Sequence, residues 1–173
     1  MSRKIAFGGI LTALCIVLVY LAAYLPTGKL GLYALSSVTI AIAVIELDVK
    51  LGVVVYTASS ILIFLLTASM NALLLFTLFF GSYPLLKYYI EKQRSAVMEM
   101  LLKFGAFNLL AVLSIFVFKL LLGVSPINFS SFSVLITLGI LLGGQIIFLI
   151  YDYILSRLID YYINRIRSAA NKR

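Results

Sequence analysis

Six long apolar runs, each broken from the next by a short polar or charged turn, make up most of the chain. They extend from about Ile5 to Leu25, Leu32 to Leu47, Leu51 to Thr67, Ala72 to Tyr88, Leu101 to Leu122 and Ser133 to Arg157. Runs near 20 residues match the roughly 30 Å hydrocarbon core of a bilayer. They lack the alternation of a membrane barrel, and a helix satisfies its backbone groups within the segment, as hydrocarbon demands. The pattern predicts an all-α integral membrane protein, a six-helix bundle forming one transmembrane domain over residues 1–173.

The breaks carry the second signal, because charge alternates with them. Every Lys and Arg except Lys29 and Lys119 falls at the N-terminus, in an alternate connection or in the tail. The positive-inside rule then makes that side cytoplasmic and puts both termini there. The acids Glu46, Asp48, Glu91, Glu99, Asp152 and Asp160 fall on the same side. The outer connections are Pro26-Thr27-Gly28-Lys29, Ala68-Ser69-Met70-Asn71 and the uncharged loop from Gly123 to Ser131.

Composition sharpens the class. The chain is 64% hydrophobic and 12% charged, about half the charged share of a globular domain. Its net charge of +8 flanks the spans instead of forming one face, so it orients the protein and meets anionic headgroups and does not mark a nucleic-acid surface. There is no histidine, and the lone Cys15 leaves no disulfide within the chain. No metal site, cofactor or catalytic residue is expected. Gly81-Ser82-Tyr83-Pro84 lacks the second glycine and the base of a serine nucleophile. Pro84 instead predicts a kink at the inner end of the fourth span, and no phosphate-binding loop is present.

The candidate chemistry lies in the outer half. Lys119, near the outer end of the fifth span, either snorkels to the headgroups or lines a cavity and pairs with an anion, since no outer acid neutralises it. Lys29 is a solvated loop charge or a second cation of that site. Gln145, about 18 Å along the sixth span, and Asn108 are placed to hydrogen-bond between helices. Asn71 and Asn128 occupy the other two outer connections, where turn chemistry also accounts for Asn. Tyr20, Tyr24 and Tyr33 are expected in the outer interface belt, or stacked on a flat ligand. Tyr88, Tyr89, Tyr151, Tyr153, Tyr161 and Tyr162 are expected in the inner belt. Substrate-binding candidates are therefore Lys29, Tyr33, Asn71, Lys119, Asn128 and Gln145. On the first span Gly9 and Ala13, like Gly8 and Thr12, are four apart, a spacing that lets another helix approach closely.

The opening, Lys4-Ile5-Ala6-Phe7-Gly8-Gly9-Ile10-Leu11-Thr12-Ala13-Leu14 after a basic start, resembles that of the substrate-binding S components of energy-coupling factor (ECF) vitamin transporters. The resemblance implies a chain of about this length with six helices and cytoplasmic termini. It implies a small water-soluble vitamin or related solute bound near the outer face. It also implies an Ala-xxx-Ala-type pair, here Gly9 and Ala13, docking on a transmembrane coupling subunit driven by two cytoplasmic ATPases. The alternative is a non-transporting membrane scaffold resembling the cell-shape protein MreD, which would use the small stripe and the basic loops as docking surfaces.

Overall fold

A computed structural model of the chain describes residues 2–93, 95–123 and 134–167. Among them are six helices long and apolar enough to cross a membrane, and no strand. They are α1 (Ser2–Tyr24), α2 (Lys29–Leu47), α3 (Val49–Thr67), the composite α4 (Met70–Ile90), α5 (Ala96–Leu122) and α6 (Val134–Tyr161), the last continued by a π-helical turn, Tyr162–Arg167. The chain is a multi-pass membrane protein. It forms two compact units, Met1–Ser114 and Ile115–Arg173.

The helices begin and end closer together than the apolar runs suggest. Interfacial turns can hold charged residues within a helix, so the apolar stretch understates its length. Gly28, at φ 76°, turns the chain so that α2 starts at Lys29 itself. A single residue, Asp48, joins α2 to α3, so Glu46 and Lys50 lie on helices and not in a loop. Ala68 (φ 48°) and Ser69 form the next link, with the Ser69 hydroxyl accepting from Ala72 N at 3.4 Å. Met70 and Asn71 are therefore helical, while α5 starts at Ala96, well before Leu101.

In the first unit α1, α2 and α3 pack on one another. Gly8, Leu11, Cys15, Val19 and Ala22 form the buried stripe of α1, at the three-and-four spacing of one helix face. Facing helices bury small residues, including Ser36, Ser37 and Thr39 of α2 and Gly52 and Ser59 of α3, which lets backbones approach without an aqueous driving force. Gly52 marks the closest approach: a Cβ there would lie 2.6 Å from Val44 Cγ2 and 3.3 Å from Val44 Cα. Two contacts fix the direction of the bundle. At one end Lys4 Nζ lies 3.4 Å from the Leu47 carbonyl and from Asp48 Oδ2. At the other the Tyr24 hydroxyl donates to the Thr67 carbonyl at 2.8 Å. These are called the basic end and the far end below.

Helix α4 departs from regular α-geometry on the N-terminal side of Pro84. Pro84 has no N–H for the Phe80 carbonyl four residues earlier. One turn ahead, residues Phe76–Phe80 are π-helical, and Gly81 N donates to Phe76 O at 2.7 Å, which frees the Thr77 carbonyl. Hydrocarbon does not tolerate free carbonyls, and neighbouring helices supply the donors: Tyr56 of α3 to Thr77 O at 2.8 Å and Ser37 of α2 to Phe80 O at 2.7 Å. A Cβ on Gly81 would lie 2.8 Å from the Tyr56 ring, so glycine admits that ring. Phe79 meets Phe107 edge-on at 5.7 Å, joining α4 to α5.

On α6, Phe148, Tyr151, Asp152 and Leu155 are buried at helical spacing. Leu109, Val112, Phe116 and Leu120 on α5 are more than 60% exposed, as a lipid-facing helix requires.

Candidate functional site

The predicted site residues divide by environment. Lys29 is the exposed first residue of α2, and Asn71 is exposed in the first turn of α4. Tyr33 is not an exposed belt residue: it is buried, with its ring stacked on Phe80 at 5.1 Å and 17° between planes. Its position one turn into α2 turns it toward α4, where the π-helical segment presents Phe80. Lys119 is exposed near the C-terminal end of α5. Gln145 is half-buried on α6, and its Oε1 is shielded from solvent. Asn128 lies outside the described residues. Lys29, Tyr33 and Asn71 belong to the first unit and Gln145 to the second, with Lys119 on the stretch of α5 assigned to that second unit.

The other aromatic expectations sort as follows. Tyr20 and Tyr24 pair at 4.7 Å on exposed α1 surface at the far end. Tyr88 and Tyr89 are exposed and meet edge-on at 5.6 Å. Tyr153 is exposed, accepts from Arg157 Nε at 3.0 Å and lies under its guanidinium, whereas Tyr151 is buried. Asn108 is exposed and donates back to Phe104 O of its own helix at 2.8 Å.

On α1 the two small pairs differ in burial. Gly8 is buried toward Leu47 and Val55, and Thr12 donates to Gly8 O at 2.9 Å. Gly9 and Ala13 are exposed, and nothing lies within 4 Å of where a Gly9 Cβ would sit.

Lys87 is the residue that charge patterning missed. Grouped by sequence with the orienting cations, it is 1% exposed and is among the largest fully buried side chains described. Its Nζ lies 2.7 Å from Glu91 Oε1. The same oxygen takes Lys103 of α5 at 3.2 Å, and Lys103 reaches Glu99 at 2.8 Å. Four charges thus form one neutral chain across α4 and α5. The signal was present in the spacing. Tyr83, Pro84, Lys87 and Ile90 form one helical stripe, with Glu91 one turn beyond Lys87. A buried ammonium needs a close carboxylate to offset its desolvation.

The basic end also carries a groove of about 250 Å³ between α1 and α3, with Lys4 at its mouth. No Asp or Glu occurs in residues 5–45, 51–90 or 100–151, the stretches that hold Lys29 and Lys119. Within the first unit, exposed Lys29 at the far end can attract an anion, whereas Lys87 and Lys103 at the basic end are held by carboxylates.

Comparison with protein families, with curated proteins and with solved structures returned no match.

Proposed function

We propose that this membrane protein is the solute-binding subunit of an ECF-type importer in the cell membrane, with both termini cytoplasmic. It takes a small water-soluble vitamin or related solute at its outer, far end and hands it on to a coupling subunit and two ATPases. The observation that carries this reading is the outward face of α1. Gly9 and Ala13 are exposed there, with open space at Gly9, and such a face lets a second helix approach to backbone contact. Electrostatic support comes from Lys29 in the first unit and Lys119 in the second, each exposed and each in a stretch of sequence free of Asp and Glu. The absence of a phosphate-binding loop accords with work supplied by separate ATPases.

The test is affinity purification from native membranes, followed by native mass spectrometry of the retained species. Co-purification of an ATPase pair and a bound solute is expected, with loss of the ATPases in Gly9→Leu and retention of the solute. No solute across a vitamin and metabolite panel, together with no ATPase module, would remove the transport reading and leave the scaffold.

A further inference from the structure

The groove between α1 and α3 is apolar along its length and cationic at one end. Gly8 and Gly9 line one side, with Val54 and Val55 opposite. Thr12 adds no free hydroxyl, because its Oγ1 donates to Gly8 O at 2.9 Å. Two lining residues, Ile5 and Val54, are more than half exposed, so the groove opens onto surface that contacts lipid. The groove, about 250 Å³ and open to lipid on one side, takes a segment of an acyl chain along its length.

The mouth supplies the charge. Lys4 Nζ is held only at 3.4 Å by the Leu47 carbonyl and by Asp48, and both side chains of that ion pair are more than half exposed. Such pairs are weak and exchangeable. Arg3 and Lys50 stand exposed at the same end. The α3 helix also starts here without a side-chain cap from Asp48, so its first amides and the positive end of its dipole remain available to an anion.

We propose that this groove binds an anionic phospholipid of the leaflet bordering the basic end, with its phosphate on Lys4 and one acyl chain along Gly8 and Gly9. Gly9 is shared with the partner-docking face of α1, so a lipid and a docked helix would compete there, and the site is tested on the chain without a partner.

The test is native mass spectrometry of the isolated full chain in detergent, with equimolar phosphatidylglycerol and phosphatidylcholine as probes. No coupling subunit is present, so the outcome does not depend on transport. Wild type is expected to retain phosphatidylglycerol in preference to phosphatidylcholine. Lys4→Gln lowers that preference about fivefold, the weight of one interfacial cation. Gly9→Leu fills the slot from a position with open space, and lowers retention of both lipids while leaving the melting temperature unchanged. Equal retention of the two lipids by wild type, or unchanged retention in both variants, would overturn the site.

Discussion

The two ends of the first unit use charge in opposite ways. At the basic end Lys87, Glu91, Lys103 and Glu99 form one chain of ion pairs, and Lys4 reaches the Asp48 link between α2 and α3. At the far end α1 and α3 are joined by a neutral bond, Tyr24 to the Thr67 carbonyl, and Lys29 stands exposed with no acid nearby in sequence. Both ends look polar in sequence, yet only one uses its charges as structure. A cation among carboxylates stabilises the fold, whereas a cation without one is available to a ligand.

The comparison breaks most visibly by filling space. Gly52→Leu drives a side chain into the Val44 backbone and is expected to cost about 3 kcal/mol or more, read as thermal unfolding in detergent. Gly31→Leu, near the far end of α2 with nothing within 4 Å, should leave unfolding unchanged. Comparable losses from the two would show that the far end is packed as tightly as the basic end.

Next comes the link itself. Asp48 holds φ 123° and ψ 158°, a region that is essentially glycine's and costs other residues about 1–3 kcal/mol. Its exposed ion pair with Lys4 returns less, about 0.2–1 kcal/mol. Asp48→Gly is therefore expected to stabilise the protein by roughly 1 kcal/mol, measured by the same melt. A loss would mean that the Lys4 contact is stronger than its exposure indicates.

Ser37→Ala leaves the Phe80 carbonyl without its side-chain donor and should cost about 0.6–2 kcal/mol, with amide exchange rising around residues 76–81. Smallest is the effect of Lys29→Met and Lys119→Met. Neither should move the melting temperature, as surface substitutions generally do not, but both should weaken capture of an anionic solute. Unchanged affinity in both would remove the cationic site.

The six spans were legible because apolar length and charged breaks report directly on the bilayer. Their ends were not, since Lys29, Asn71 and Glu99 are polar residues that helices carry at their termini. The break at Pro84 was visible, but its form was not. A missing N–H permits a kink or a π-helical turn, and the donors on Ser37 and Tyr56 that satisfy the freed carbonyls come from other helices. Tyr33 read as a belt residue because its partner, Phe80, is 47 positions away. Lys87 was hidden by its own charge: positive-inside reasoning accounts for any cation at that side, so its place on the buried Tyr83–Ile90 stripe went unread.

The most direct measurement compares Glu91→Gln with Lys29→Met, one carboxylate or cation neutralised at each end, by thermal unfolding under identical conditions. Glu91→Gln takes the 2.7 Å carboxylate from buried Lys87. It should cost about 2 kcal/mol, below the 3–5 of a fully buried pair because Glu91 is partly exposed. That corresponds to roughly 4–8 °C for a chain of this size, while Lys29→Met leaves the midpoint in place. Equal shifts, or no shift in Glu91→Gln, would contradict the division between a structural end and an available one.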